Sequence, residues 1–308
     1  MTPTLVDAIQ LEHNAEIPTW FGCGGRADRL ARPRNLVQLK RCIEIDPSAR
    51  ILGDGANLLV DDDGVVELVV SLADSDLSKW DFDVPGQPGI VRAFAGANLP
   101  RLILETCRRG RSGLEGLGGI PATVGGAARM NAGGTFGEFG NAVHAVHAID
   151  RTGREVTLTR EQAGFGYRRS NLAELIVVVV DLALGEDDPA KLRTKLKDVM
   201  EYKKRSQPMA ERSAGCVFKN PMLSRDIPDI APAGQRVSAG MLIDRAGCKG
   251  LGIGGASVSQ RHANFIVTGG GGQARDVIEL IDEVKRRVFD AFGVELEPEV
   301  VVWRREQQ

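Results

Sequence analysis

One glycine-rich stretch decides the fold of this chain, and it reads Gly119-Ile120-Pro121-Ala122-Thr123-Val124-Gly125-Gly126-Ala127-Ala128-Arg129-Met130-Asn131-Ala132-Gly133-Gly134. It lies in a longer segment, Gly116 to Gly140, in which nine of 25 residues are glycine, whereas the whole chain has 37 glycines in 308 residues. Glycine lets the backbone approach a ligand closely and adopt positive φ angles. Backbone N–H groups at such turns and helix starts bind phosphate without a lysine. The small residues after Thr123 predict the start of a short helix.

A second segment has the same character. It reads Gly53-Asp54-Gly55-Ala56-Asn57-Leu58-Leu59-Val60, which predicts a turn followed by a strand, with Asn57 placed to form hydrogen bonds. Glycines that only shape tight turns would explain either segment alone. Two such segments, each flanked by strands and containing Asn or Thr, favour nucleotide binding. Neither is a GxGxxG fingerprint, and the chain has no P-loop because no GK[ST] occurs.

The composition limits the classes of partner. With 39 basic and 41 acidic residues the net charge is −2, so nothing global indicates a nucleic-acid or membrane-surface partner, and a small-molecule ligand is expected. The five cysteines are odd in number and widely spaced, which predicts a reducing compartment with neither a disulfide framework nor a zinc site. No signal peptide is visible, and the longest apolar run, 175–180, is only six residues, so we expect a cytoplasmic protein.

The pattern of elements predicts an α+β fold in several domains. Strands and helices are mixed without strict βαβ alternation, and 308 residues exceed one ordinary core. We predict a first subdomain at 1–73 joined by a terminal strand at 299–308, a second at 74–205, and a third domain at 206–298. The predicted helices are 35–45, 98–109, 191–204 and 273–292. The predicted strands are 90–95, 143–149, 155–159, 175–184, 263–268 and 300–303, with a short strand and tight turn at 50–55 and an Asp150–Gly153 turn closing a hairpin.

Several motifs, taken in order, carry a family resemblance. The glycine-rich segments, together with Gly22-Cys23-Gly24-Gly25-Arg26-Ala27-Asp28, resemble the two-subdomain FAD-binding fold of the vanillyl-alcohol-oxidase type. Three more motifs are Tyr167-Arg168-Arg169-Ser170, Ser213-Ala214-Gly215-Cys216-Val217-Phe218-Lys219-Asn220-Pro221 and Leu296-Glu297-Pro298-Glu299-Val300. From about Trp20 to Trp303, the set resembles the UDP-N-acetylenolpyruvoylglucosamine reductase family, flavoenzymes of peptidoglycan precursor synthesis.

The resemblance implies an activity and its cofactors. NADPH would deliver a hydride to non-covalently bound FAD and leave, after which the enolpyruvyl ether of UDP-N-acetylglucosamine would be reduced to UDP-N-acetylmuramate. A C-terminal α+β domain would bind this substrate, and the enzyme would be a monomer. The FAD contacts implied are Gly53, Gly55, Ala56, Asn57, Leu58, Gly119, Ile120, Pro121, Thr123, Val124, Gly125, Gly126, Asn131 and Ala132. The substrate contacts implied are Tyr167, Lys204, Lys219, Asn220 and His262.

The resemblance also implies three catalytic residues. Arg168 would stabilise the negative charge that reduction places on the substrate carboxylate, because a guanidinium is a planar fork that keeps its proton. Cys216 would donate a proton, and Glu299 would lie near the developing charge, with Glu297 as the competing choice. Arg205 is the alternative to Lys204 as a cation for the diphosphate.

Two features depart from many members of that family. Cys216 stands where many carry a serine as the proton donor, although a thiol can also give a proton. Only 48 positions separate Arg168 from Cys216, which leaves little room for an extra substrate-covering loop and indicates the shorter subgroup.

Two other functions stay open from the sequence. One is another FAD-dependent oxidase or dehydrogenase of the same fold, a class that often tethers flavin through histidine; none of the four histidines lies in a glycine-rich segment. The other is a non-catalytic flavin or nucleotide-sugar binding protein.

Overall fold

The structure is a computed structural model that describes residues 9–73 and 75–305. The chain forms two compact units, each assembled from separate segments. Unit one contains residues up to 15, 27–54 and 66–203, and unit two contains 16–26, 55–65 and the chain from 204 onward. The three-part division predicted above stays a prediction.

The helices and strands are as follows. The helices are α1 (Leu36–Ile45), α2 (Leu99–Arg108), α3 (Val124–Met130), α4 (Pro189–Ser206), α5 (Ala239–Arg245) and α6 (Ala274–Phe292). The strands are β1 (Leu11–Glu16), β2 (Arg26–Ala31), β3 (Arg50–Leu52), β4 (Leu58–Val60), β5 (Val69–Ser71), β6 (Trp80–Asp81), β7 (Ile90–Phe94), β8 (Arg111–Ser112), β9 (Gly133–Gly134), β10 (Gly137–Glu138), β11 (Val143–Ile149), β12 (Glu155–Thr159), β13 (Ile176–Ala183), β14 (Gly185–Glu186), β15 (Gly252–Ile253), β16 (Ala256–Val258), β17 (Ile266–Thr268) and β18 (Val301–Trp303).

An antiparallel five-stranded sheet is the centre of unit one. Its strand order is β12-β11-β13-β7-β6. The β11–β12 hairpin closes because the Asp150 carboxylate accepts hydrogen bonds from the backbone N–H of Thr152 and Arg154 and because Gly153 adopts a φ of +81°. Strand β13 pairs on both edges and is almost entirely buried, as its run of valines predicts.

A second sheet in unit one, with strand order β1-β2-β5-β3, pairs β5 in parallel with β2 and β3. Helix α1 begins at Asn35, whose side chain accepts from the backbone N–H of Gln38. Leu39 and Ile43 of α1 and Leu102 and Ile103 of α2 are buried in the core of this unit. These sheets and helices therefore support the turns that carry the glycine-rich stretch.

Unit two has its own core, built around α6. The small sheet β15-β16-β17 packs against this helix, whose apolar face repeats at spacings of three and four through Val277, Ile281, Val284 and Val288. Strand β18 pairs in parallel with β4, which aligns Val301 with Leu58. That pairing joins segments that lie far apart in the sequence.

One predicted strand is shorter than expected. Strand β17 covers Ile266–Thr268 rather than 263–268, because the chain turns where the backbone N–H of Phe265 donates to the carbonyl oxygen of His262 (2.9 Å). Over residues 9–73 and 75–305, no helix is both long and apolar enough to cross a membrane.

Candidate functional site

The two glycine-rich segments meet at Thr123. The Thr123 hydroxyl caps α3 by accepting from the backbone N–H of Gly126 (3.2 Å). A Cβ at Gly53 would lie 2.9 Å from that same hydroxyl oxygen, so only glycine lets the first segment come so close. The short helix after Thr123, predicted from the sequence, is therefore confirmed as Val124–Met130.

The local geometry fits a cofactor bound through backbone groups. A Cβ at Gly126 would meet only the Thr123 hydroxyl, at 3.3 Å, so the missing side chain leaves space beside the first turn of α3. In the other segment, the N–H groups of Gly55, Ala56 and Asn57 donate to no backbone carbonyl within the described parts of the chain. Gly55 itself needs its φ of +66°, and a Cβ there would lie 2.1 Å from the Pro18 carbonyl oxygen.

Several of the predicted cofactor contacts use their amides within the protein, among them Val124 and Gly125. The N–H groups of Val124 and Gly125 donate to the carbonyl oxygens of Ala97 (2.9 Å) and Ala95 (2.8 Å). These bonds fix the start of α3 beside β7. Val124 and Gly125 can therefore approach a cofactor closely, but their N–H groups are already committed.

Arg168 occupies a strained corner of a tight turn. Gly166 and Arg169 exchange backbone hydrogen bonds of 3.0 and 3.1 Å, and between them Arg168 has a φ of 53°. The left-handed region costs a non-glycine residue roughly 1–2 kcal/mol. The guanidinium Nη2 donates to the carbonyl oxygen of Gly133 (2.7 Å), and the guanidinium carbon lies 5.2 Å from the ring centroid of Tyr167. Strain of this kind clusters at functional sites.

Within unit two, hydrogen bonds bring the segments of Asn57, Cys216 and Glu299 together. The backbone N–H of Glu299 donates to the carbonyl oxygen of Val217 (2.7 Å), the residue after Cys216. Asn57 Nδ2 donates to the Glu299 carbonyl oxygen (2.9 Å). Cys216 is half-buried and is not part of a disulfide. Cys216, the predicted proton donor, and Glu299, the predicted carboxyl partner, thus lie on backbone segments that are hydrogen-bonded to each other.

Asn264 fixes the other side of the Cys216 segment. Its backbone oxygen accepts from the N–H of Val217 (2.8 Å). Its side chain, which is buried, accepts from the N–H of Phe218 (2.9 Å) and donates to that residue's carbonyl oxygen (2.8 Å). The sequence indicates such a role, because Asn264 is a polar residue between the apolar residues Ala263 and Phe265 and a buried amide requires hydrogen-bond partners.

An ion pair between Lys219 and Glu297 distinguishes the two candidate glutamates, Glu297 and Glu299. Lys219 Nζ lies 2.5 Å from Glu297 Oε1, so Glu297 is engaged in an ion pair. This engagement favours Glu299 over Glu297 as the residue near the substrate. Asn220 Oδ1 accepts from the N–H of Ala239 (3.0 Å) at the start of α5.

His262 packs as a neutral ring. Its Nδ1 accepts from the backbone N–H of Asn264 (3.2 Å), and its ring meets Phe265 edge-on at 4.9 Å between centroids. Burial lowers the pKa of the His262 imidazole, and the charge of Lys249 acts in the same direction. The remaining proton therefore lies on Nε2.

The lysine of α4 that lies against the glycine-rich stretch is Lys203, the neighbour of the predicted substrate contact Lys204. Lys203 is buried, and its Cδ would lie 3.2 Å from a Cβ placed at Gly119. Lys204 is exposed, and its carbonyl oxygen accepts from Arg261 Nη1 (3.2 Å). The sequence itself indicates that Lys203 is buried, because Lys203 continues the helical spacing of the buried residues Leu192, Leu196 and Val199.

Comparison with known proteins identifies the family. The profile of the UDP-N-acetylenolpyruvoylglucosamine reductase C-terminal domain matches residues 207–303, and that of an FAD binding domain matches 28–159. Relatives of that name share 39% identity in Moorella thermoacetica, covering 92% of this chain and 90% of the relative, and 42% in Thermus thermophilus, covering 92% and 95%. The chain belongs to the UDP-N-acetylenolpyruvoylglucosamine reductase family.

A solved structure agrees with this assignment. The crystal structure of the UDP-N-acetylenolpyruvylglucosamine reductase from Thermus caldophilus matches with a TM-score of 0.80 and 40% identity, covering 96% of this chain and 100% of that one. The predicted α+β fold, with an FAD-binding domain followed by the C-terminal domain of the reductase family, is confirmed. The chain is an FAD-dependent oxidoreductase, with NADPH as its reductant. The roles of individual residues stay predictions.

Proposed function

We propose that this chain reduces the enolpyruvyl ether of UDP-N-acetylglucosamine to UDP-N-acetylmuramate, a step of peptidoglycan precursor synthesis. The overall reaction consumes NADPH and one proton. A hydride adds to the terminal enol carbon, and a proton adds to the carbon that bears the carboxylate. The observation that carries the proposal at the level of residues is the pairing of the Glu299 backbone with the segment of Cys216, by the 2.7 Å bond from Glu299 N–H to the Val217 carbonyl.

FAD, when bound, supplies the two-electron carrier between NADPH and the substrate. The chain's own contribution to binding it comes from the backbone of the two glycine-rich segments. The N–H groups of Gly55, Ala56 and Asn57 are placed to receive the pyrophosphate. The space beside Gly126 admits a close approach to α3.

Arg168 has the chemistry required at the substrate carboxylate. Hydride addition pushes negative charge onto that group, and a guanidinium pairs with it in two parallel hydrogen bonds. The bond from Arg168 Nη2 to the Gly133 carbonyl holds the fork in one orientation before substrate arrives. Removing one such stabilising group typically raises the activation free energy by about 3 kcal/mol.

Cys216 is proposed to deliver the proton from Sγ to the carbon that bears the carboxylate. Its backbone is fixed on one side by Glu299 and on the other by Asn264, so the thiol has a defined position. Glu299 is proposed to lie beside the developing charge, where a carboxyl group is useful if it is protonated or orients the donor.

The remaining parts of the proposal concern binding and assembly. Tyr167, Lys204, Lys219, Asn220 and His262 are proposed to contact the substrate. We further propose a cytoplasmic monomer, since each unit buries an apolar core of its own and so folds without a second copy.

The test of the proposed function follows the colour of the flavin without oxygen. NADPH should bleach the yellow enzyme, and adding the enolpyruvyl substrate should restore the colour and yield UDP-N-acetylmuramate. Bleaching without recovery would indicate an oxidase or dehydrogenase for another substrate. A folded protein that neither binds nor can be reconstituted with FAD would rule out all of these functions.

A further inference from the structure

The buried side chain of Asn131 connects the end of α3 to the turn that carries Arg168. Asn131 ends the helix with a φ of 43° and is 1% exposed. Its Nδ2 donates to the carbonyl oxygen of Gly166 (2.8 Å) and to Glu138 Oε2 (3.0 Å). Its Oδ1 accepts from the N–H of Gly140 (2.8 Å). Both hydrogens of the amide are therefore used within the chain.

Two further hydrogen bonds connect the same pair of segments. Ser170 Oγ donates to the Arg129 carbonyl oxygen (2.6 Å), and Arg168 Nη2 donates to that of Gly133 (2.7 Å). Of the three side chains that make these connections, only Asn131 is buried. A hydrogen bond shielded from water is stronger and more expensive to leave unmade, so the bond from Asn131 fixes the turn most firmly.

We propose that Asn131, with Glu138 as its second acceptor, is a positioning residue for Arg168. The inference rests on the proposed function, in which Arg168 meets the substrate carboxylate. The φ of 53° at Arg168 is disfavoured and persists only while the surroundings hold it. Loss of the bond from Asn131 to the Gly166 carbonyl lets the turn relax, and the guanidinium moves with it. A displacement of about 1 Å at a reacting group costs on the order of 100-fold in rate.

The first variant removes one donor and keeps the acceptor. Asn131→Asp can still accept from Gly140, but it cannot donate to the Gly166 carbonyl and it places a second carboxylate next to Glu138. We expect reduction of the substrate by the prereduced enzyme to slow by about 10- to 100-fold. FAD content and the rate of flavin reduction by NADPH stay near those of the native chain, because the side chain of Asn131 bonds to Gly166, Glu138 and Gly140 and the predicted FAD contact of this residue would be made by its main chain. Asn131→Gly, which suits the positive φ, should show the same split if the aspartate variant does not fold.

A paired variant separates position from charge repulsion. In Asn131→Asp with Glu138→Gln, the glutamine can donate to the aspartate, so the repulsion disappears while the Gly166 carbonyl still lacks its donor. We expect thermal stability to return and the rate of substrate reduction to stay low. Asn171→Asp is the matched control, because exposed Asn171 donates to the Gln162 carbonyl oxygen (3.1 Å). Both half-reactions should survive that change.

The outcomes distinguish this inference from the proposed function. Asn131→Asp should add little in an Arg168→Lys background, because both changes act through one guanidinium. Equal loss in the two half-reactions, loss of FAD, or recovery of the rate in the paired variant would overturn the positioning role. If Arg168→Lys itself leaves substrate reduction unchanged, the role of Arg168 in the proposed function is wrong, and the positioning role fails with it.

Discussion

At the scale of single residues, Cys216 gives the sharpest prediction. Its segment is fixed by Glu299 and Asn264, so the thiol can be changed with little effect on the backbone. We expect Cys216→Ala to keep FAD and NADPH oxidation but to slow substrate reduction by about 10²–10⁴-fold, the usual effect of losing a general acid. Cys216→Ser should keep substantial activity, because a hydroxyl can donate from the same position. Rapid-mixing measurement of each half-reaction checks both variants.

Alkaline pH and alkylation provide the controls for Cys216. A thiolate cannot donate a proton, so substrate reduction by the native chain should fall as the thiol ionises, and Cys216→Ser should lack that fall. Burial, followed by the charges of Asp62 and Asp276, raises the pKa of Cys23 to about 11, and burial raises that of Cys42 to about 11. These thiols react slowly at neutral pH. Full activity of Cys216→Ala would show that another group donates the proton.

The roles of single residues stay predictions, and the structure adds to them most where neighbouring residues compete for one role. Arg168 has a strained, positive φ angle. The sequence cannot show this strain, because the φ angle depends on the surrounding structure. The preference for Glu299 over Glu297 agrees with the ion pair that Glu297 forms with Lys219. Helical periodicity places Lys203, the neighbour of the predicted Lys204, on the buried face of α4.

At the scale of elements, the approach of Gly53 to Thr123 gives a matched pair of variants. In Gly53→Ala the new Cβ would lie 2.9 Å from the Thr123 hydroxyl, which caps α3, so the cap must move. Losing such a cap costs about 1 kcal/mol, and we expect weaker FAD binding as the segment shifts. Gly134→Ala is the control, since its Cβ would meet nothing within 4 Å. Equal FAD affinity in the two variants, measured by fluorescence titration, would contradict the expectation.

The five-stranded sheet carries a buried charge that predicts acid sensitivity. Asp181 on β13 accepts from Arg92 Nε and Nη2 (both 2.7 Å) and contacts His147 Nε2 (3.0 Å). Burial alone would raise the pKa of Asp181, but the hydrogen bonds from Arg92 and His147 outweigh it and leave the pKa below its usual value. The stabilisation is therefore complete above the unfolded pKa and is lost as pH falls through the lower folded value.

Asp181→Asn should lower the free energy of unfolding by about 2 kcal/mol at pH 7, since one partner of a buried pair is removed while Arg92 stays partly in water. The variant should also lose less stability than the native chain between neutral and acidic pH. Asp290→Asn is the control: exposed Asp290 on α6 pairs with Arg286 (2.7 Å), and the change should alter stability by less than about 0.5 kcal/mol. Urea unfolding at several pH values measures both variants. If Asp181→Asn lost as much stability at acidic pH as the native chain, the contacts of Asp181 with Arg92 and His147 would not be the source of the acid sensitivity.

Elements with a strong local signal were predicted well. The β11–β12 hairpin has the predicted bounds, because alternation and the Asp150–Gly153 turn are both local. Helices α1, α2 and α6 begin within one residue of their predicted starts. The two-residue strands and α5 were not predicted, since such short elements form only where tertiary partners provide the hydrogen bonds.

At the scale of the whole molecule, the sequence indicated the family but not the composition of the units. Each unit is built from several segments of the chain. Unit two depends on contacts such as Asn57 with the Glu299 carbonyl and β4 with β18, which are more than 200 positions apart. Neither hydrophobic periodicity nor a turn motif predicts contacts between residues that are so far apart in the sequence. The family resemblance supplied what local patterns could not, because its motifs were recognised as a set.

The last prediction concerns FAD as a stabilising ligand of the whole chain. A ligand that binds only the folded state adds about 2.7 kcal/mol when its free concentration is 100 times its Kd. For a chain of this length, each kcal/mol corresponds to roughly 2–4 °C in Tm, so removing FAD should lower Tm by several degrees and adding it back should restore the value. FMN at equal concentration should restore less, because it lacks the adenylate half and the pyrophosphate that we propose the amides of Gly55, Ala56 and Asn57 bind. Acid precipitation should release all of the flavin into solution; flavin that stays with the precipitate would indicate a covalent bond and favour an oxidase of the same fold.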